Sequence, residues 1–154
     1  VVYLKKVPGT HKPSETPVRI DQINQTFKPA VLPIVVGTTV DFLNSDNTVH
    51  NVFSPDGEKY DLGDWGNGEK REYTFKKRGV YTQLCKLHPA MLAYVVVLQN
   101  PYFALTKDDG SFEIPDVPPG KYKLAVWNQR RKGKAISVEV ACAPVSDLKI
   151  KLGK

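Results

Sequence analysis

Three residues with soft or borderline metal-binding side chains fall within seven positions, in Cys85-Lys-Leu-His88-Pro-Ala-Met91. Thiolate, imidazole and thioether follow one another at intervals of three residues. Soft sulfur donors favour Cu(I), and imidazole suits both copper oxidation states. Two His and one Cys in a trigonal set, with a weak and long axial Met, make an electron-transfer copper site. A tight loop between two strands can aim all three side chains at one point. The fourth donor must come from elsewhere, and two other histidines exist, His11 and His50. His11 lies in a polar stretch, Thr10 to Thr16, with no core signal around it. His50 follows a β-rich segment in Asn44-Ser-Asp-Asn-Thr-Val-His50-Asn51. His50 is therefore chosen.

Other chemistries fit this cluster less well. Structural zinc sites normally use four Cys or His ligands in paired motifs, and here a methionine is the third member of a single cluster. A Cys–His nucleophile pair needs an oxyanion site, which nothing nearby supplies. The sequence thus points to one copper ion held by His50, Cys85, His88 and Met91. Four protein donors leave no open position for oxygen or nitrite, so no enzymatic role is expected.

The 154 residues are 41% hydrophobic and 25% charged, ordinary values for a globular protein. No apolar run approaches the length of a membrane span; the longest, Met91 to Leu98, is that of a buried strand. The chain begins at Val1 inside a β-rich stretch and reads as processed, which leaves a removed signal peptide open. The net charge is +6, and residues 120–154 hold nine Lys and Arg against two acids. Arg130, Arg131, Lys132 and Lys134 are the densest cluster. They read as a solvated hairpin turn around Gly133, or as a docking face for an acidic partner or an anionic membrane. No aromatic residues interleave with them, so nucleic acid is not expected.

The elements that must position the cluster are strands. Val1–Lys6, 18–20, 31–36, 38–42, 73–75, 80–84 and 92–98 are β-rich or alternate with period 2. Pro55-Asp-Gly57, Gly66-Asn-Gly68 and Lys77-Arg-Gly79 separate several of them. No stretch carries a helical period of apolar residues. The pattern predicts an all-β, Greek-key sandwich or barrel. Beyond Asn100-Pro101 a second block follows. Strands are predicted over 102–106, 111–114, 121–126, 136–142 and 148–152, with a hairpin turn at Asp108-Asp-Gly110. The alternation Ile136, Val138, Val140, Cys142 places Cys142 on a buried strand face, as a small hydrophobe. Trp65, in Leu62-Gly-Asp-Trp-Gly-Asn-Gly68, reads as a loop residue folded over the sandwich edge rather than a partner-contacting aromatic. Trp127 ends a strand and is expected to be packed.

Residues 18–99 resemble the cupredoxins, the type 1 blue copper proteins, and among them plastocyanin and amicyanin. The resemblance rests on Gly37-Thr-Thr-Val-Asp-Phe-Leu-Asn44, His50-Asn51, Gly79-Val-Tyr81 leading to Cys85, and the Cys85–Met91 loop followed by the β run to Leu98. The short Cys-to-Met spacing is amicyanin-like. The resemblance implies equatorial His50, Cys85 and His88, with Met91 axial. It makes Asn51 a brace for the Cys loop through hydrogen bonds. It also sets Leu87, Pro89 and Ala90 around His88 as part of an apolar partner-contact patch, although these three could equally be loop packing. One position departs from the family: Gln83 stands where an aromatic is more usual. A polar group there could shift the potential or be satisfied by backbone.

Thr106-Lys-Asp-Asp-Gly-Ser-Phe112-Glu-Ile114 and Val117-Pro-Pro-Gly-Lys-Tyr122 resemble the carboxypeptidase regulatory-like, or transthyretin-like, β-sandwich. That pattern begins with a strand like Val1-Val-Tyr-Leu4. The expected organisation is a cupredoxin domain over 9–99, inserted in a smaller β-domain of residues 100–154 completed by residues 1–8. Together these resemblances imply a type 1 copper protein cycling Cu(I)/Cu(II) between redox partners such as a cytochrome or a dehydrogenase or oxidase. A periplasmic or otherwise extracytoplasmic location goes with them. Copper storage or delivery, or an interaction module with a non-blue copper site, is the alternative.

Overall fold

The computed structural model describes Val1–Gly153, and every regular element in it is a strand. In chain order these are β1 (Val2–Leu4), β2 (Val18–Ile23), β3 (Thr26–Lys28), β4 (Val31–Val35), β5 (Thr39–Asn44), β6 (His50–Ser54) and β7 (Tyr60–Trp65). Then come β8 (Lys70–Thr74), β9 (Gly79–Leu84), β10 (Leu92–Leu98), β11 (Phe103–Ala104), β12 (Gly120–Val126) and β13 (Ile136–Val140). The chain divides into two compact units, one of residues 12–98 and one of residues 1–11 with 99–154.

The 12–98 unit contains two sheets, ordered β4-β10-β9-β6-β7 and β3-β2-β5-β8. β4 pairs parallel with β10 and β2 parallel with β5, while the other pairs are antiparallel. Parallel neighbours distant in sequence require crossovers, which gives the Greek-key character. Period-2 burial sends Val40 and Phe42 of β5, and Ala93, Val95 and Val97 of β10, into one core with Ile20, Phe27, Phe75 and Tyr81. Complete burial of Phe42 contributes roughly 1.5–3 kcal/mol. Tyr60 stacks on Tyr73 at 3.9 Å between ring centroids, and Phe75 packs edge-on against Tyr73 and Tyr81. Gly57 turns the chain with φ of 51° where a Cβ would lie 2.8 Å from the Tyr81 ring, so the close approach requires glycine.

The other unit has one sheet, β11-β1-β12-β13, with Val2, Leu4, Tyr122, Leu124 and Val138 buried along it and Val7 beside them. Asn100 ties its start together, donating to the Leu4 carbonyl and accepting from the Tyr102 N–H. The expected turn at Asp108–Gly110 is present, closed by the Gly110 N–H on the Lys107 carbonyl at 2.9 Å. Its expected return strand, 111–114, is irregular, as is 148–152 apart from a bridge between Leu152 and Gly133. Pro115, Pro118 and Pro119 lack the N–H groups that a paired ladder needs. Phe112, Ile114, Leu148 and Ile150 still pack on the core, half-buried, without sheet pairing. Cys142 also departs from expectation: β13 stops at Val140, and the thiol is exposed beyond it.

Candidate metal centre

β5 delivers Asn44, whose side-chain amide donates to the carbonyls of Thr48 (2.8 Å) and Trp65 (2.9 Å). These bonds shape the 45–49 loop, and β6 then opens on His50, fully buried. β9 runs through buried Tyr81 and Gln83 to Cys85 just past its end. The next turn carries His88 and is closed by the Met91 N–H on the His88 carbonyl at 3.0 Å. β10 leaves at Leu92 and pairs straight back onto Leu84, so the two strands pin both ends of the loop.

The ligand atoms of His50, Cys85 and His88 all lie within 4.8 Å of one another. Nδ1 of His50 is 4.0 Å from the Cys85 Sγ, and Nδ1 of His88 is 3.8 Å from it. One metal ion bound at roughly 2.3 Å to sulfur and 2.0 Å to nitrogen, with an angle near 120°, sets such atoms about 3.7 Å apart. Both Sγ–Nδ1 separations are thus close to those of donors that share a single ion. The two imidazoles have centroids 4.6 Å apart. Met91 and Cys85 are both part of the apolar core, while His88 is half-buried.

Asn51 sits behind the thiol. Its backbone N–H donates to the Cys85 Sγ at 3.4 Å, and its Oδ1 accepts from the Lys86 N–H at 3.4 Å. Its amide donates to Asp61 Oδ1 (2.8 Å) and the Gly63 carbonyl (2.9 Å). Lys86, Asn51 and the Gly63 N–H hold the Asp61 carboxyl down at about 2, against a smaller opposing effect of burial. Gln83 is satisfied at both ends, donating to the Tyr81 carbonyl at 3.0 Å and accepting from the Tyr60 hydroxyl. Burial, offset in part by that bond, pushes the Tyr60 hydroxyl far above its ordinary value.

Leu87, Pro89 and Ala90 are all exposed around His88. Two further large apolar residues are exposed beside site residues in sequence: Val49 (46%) precedes His50, and Leu92 (38%) follows Met91. Sequence reasoning missed both, although each is an apolar residue next to a proposed ligand. It also missed Asp46, whose carboxylate lies 2.8 Å from the His50 Nε2. Burial would raise the Asp46 carboxyl, but hydrogen bonds from the Gln25 N–H, the His50 ring and the Asn24 N–H together hold it below its usual value. The carboxylate four residues before the histidine was the available signal. Trp65 is buried at the end of β7 rather than in a loop, with the Arg71 guanidinium 5.5 Å from its ring centroid. His11 bonds the Val7 carbonyl and packs edge-on against Tyr102, apart from this cluster.

A Greek-key sandwich that gathers a thiolate and two imidazoles at one end is a cupredoxin arrangement, and its donor set takes one copper ion. Residues 14–99 match the model of the copper-binding plastocyanin/azurin family, and the chain belongs to that family. Residues 77–144 match the model of polysaccharide lyase family 4, domain II, in keeping with a joined second β-sandwich and distinct from the carboxypeptidase-type resemblance.

Among solved structures, a copper-containing nitrite reductase from Thermus scotoductus SA-01 is 30% identical, with a TM-score of 0.52. That match covers 60% of this chain and 25% of the reductase, so the chain spans about a quarter of that protein's length. An oxidized proline-to-alanine variant of amicyanin is 25% identical over 55% of this chain and 84% of its own, with a TM-score of 0.51. A purple cupredoxin from Nitrosopumilus maritimus is 28% identical over 52% and 98% of the two chains, with a TM-score of 0.48. No curated protein matches by sequence.

Proposed function

We propose that this protein is a type 1 copper electron carrier whose copper would be held by His50, Cys85, His88 and Met91. The observation that carries this reading is the pair of Sγ–Nδ1 separations, 4.0 and 3.8 Å, in a core closed by strand pairing on both sides of the loop. Bound copper supplies a one-electron couple between Cu(I) and Cu(II). The chain's own residues keep the donors in place: Asn51 braces the thiolate, and the β9–β10 pairing pins the loop. Four protein donors leave no site for a substrate, which favours a carrier over an enzyme despite the similarity to a nitrite reductase domain. Partners would be redox proteins such as a cytochrome or a dehydrogenase or oxidase. They would meet half-buried His88 through Leu87, Pro89 and Ala90, joined here by Val49 and Leu92. Such encounters are small and brief.

The exposed basic residues of 130–134 suit an acidic partner. An extracytoplasmic, periplasmic location goes with this chemistry; no described helix is long and apolar enough to cross a membrane. The copper domain is best read as an insertion, with residues 1–8 completing the C-terminal β-domain. Voltammetry and copper removal test the carrier reading. A reversible one-electron couple, and a copper-free protein that keeps its β circular dichroism, are expected. Copper that leaves readily to a mild chelator would instead favour storage or delivery. Unfolding on removal would make the metal a structural staple of an interaction module.

A further inference from the structure

The two histidines are held very unequally. His88 is half-buried and has no bonded carboxylate among the described residues. His50 is fully buried, and its Nε2 lies 2.8 Å from Asp46 Oδ2. An ionised carboxylate can only accept, so Nε2 is the donor to Asp46, and Nδ1 is the ring nitrogen that faces the Cys85 Sγ, at 4.0 Å.

The same carboxylate accepts two more bonds, from the Asn24 N–H (2.6 Å, on Oδ1) and the Gln25 N–H (2.8 Å, on Oδ2). Asn24 and Gln25 are the left-handed pair of the β2–β3 turn, with φ of 54° and 53°. The backbone of Asp46 is fixed as well. Its N–H donates to Asn44 Oδ1 at 2.9 Å, and its carbonyl accepts from the Asn67 amide at 3.1 Å. The carboxylate cannot swing away from His50 without also releasing the turn.

We propose that Asp46 is a positioning residue for the copper site: it locks His50 in the Nε2-protonated tautomer, ties that ring to the β2–β3 turn, and sets a fixed negative charge behind it. This rests on the reading of His50 as a copper ligand. A carboxylate behind a ligating imidazole fixes its orientation and raises its basicity. A more basic donor with a negative charge behind it favours Cu(II) over Cu(I), so Asp46 lowers the reduction potential.

The test compares wild type, Asp46→Asn, Asp46→Glu and Asn24→Val. Two quantities are measured: the potential of the copper-loaded protein, and the 15N shifts of the His50 ring in the copper-free protein. Wild type should show one clean Nε2-protonated tautomer. Asp46→Asn should bind copper, raise the potential and give mixed tautomer shifts. Asp46→Glu, which keeps the charge, should stay nearer wild type in both. Asn24→Val strains the left-handed turn that holds the carboxylate, so it should lower stability and shift potential and tautomer in the same direction as Asp46→Asn, but by less. Wild-type values in Asp46→Asn would overturn the proposal, leaving Asp46 as a turn fastener. So would an Asn24→Val shift as large as that of Asp46→Asn. If wild type itself lacked an intense thiolate-to-copper band, the copper reading would fail, while the ring shifts of the copper-free protein would still report the Asp46 contact.

Discussion

The two units of this chain handle polarity in opposite ways. Of the nine polar or charged side chains buried among the described residues, eight lie in the 12–98 unit and only Asn100 in the other. Several of those eight surround the metal centre: His50 is in it, while Asn44, Asn51 and Gln83 shape or brace the strands that form it. On formal charge the pattern reverses. The 12–98 unit carries ten Lys and Arg against ten Asp and Glu, while the other carries twelve against six and so holds the whole +6. One unit places its polar groups inside, where low dielectric makes each bond costly to break. The other keeps an apolar strip inside and its charge in water. Fixed geometry is needed around a metal centre, and not on a charged face that stays in water.

Core truncations test this contrast most severely. Phe42→Ala should destabilise the 12–98 unit by about 3–5 kcal/mol, and Leu124→Ala the other unit by about 2–5 kcal/mol. Urea unfolding followed by copper absorption and by circular dichroism separates them. The copper signal should be lost early in Phe42→Ala and stay at its wild-type midpoint in Leu124→Ala. A copper midpoint that moves equally in both would mean the units do not unfold independently.

Asn51→Ala comes next. It removes the acceptor of the Lys86 N–H and both donors to the Asp61–Gly63 bulge, at a cost of about 1–3 kcal/mol. Because Asn51 also positions the N–H that meets the Cys85 sulfur, its loss should shift the thiolate-to-copper band. No comparable spectral change is expected from Asn100→Ala in the other unit.

Much of this was legible in the sequence because the strand signal and the site signal coincide. Val40 and Phe42 alternate into the core, Ala93, Val95 and Val97 do the same, and the Cys85–Met91 spacing sits between two such strands. What escaped depends on distant pairing. β7 over Tyr60–Trp65 is a strand only because β6 pairs with it across a bulge near Asn51. The segments 111–114 and 148–152 have strand-like composition but lack regular partners. Asp46 is an ordinary polar loop residue until the β2–β3 turn is brought against it. Cys142 follows an alternation that the strand itself does not complete.

The acid range gives a smaller effect. Asp61 is held at about 2, below its ordinary value of 3.8, so its contribution to folding is fully present above pH 4 and is lost as pH falls through about 2. Asp61→Asn should flatten the pH dependence of stability in that window, read from urea midpoints between pH 5 and 2. A wild-type slope in the variant would contradict the Lys86–Asp61–Asn51 linkage.

The smallest effect belongs to the basic unit. Lys121 and Glu139 pair at 3.7 Å with side chains 81% and 69% exposed. Glu139→Ala should leave the unfolding curve within error, since exposed pairs are weak and screened. A measurable loss would mean that this surface is more ordered than its exposure implies.

The most direct test of the whole account is the visible and electron paramagnetic resonance spectrum of the Cu(II)-loaded protein beside that of Cys85→Ser. An intense thiolate-to-copper charge-transfer band and a small copper hyperfine splitting are expected, both absent from the variant. A weak band, or one that survives the loss of Cys85, would contradict the account.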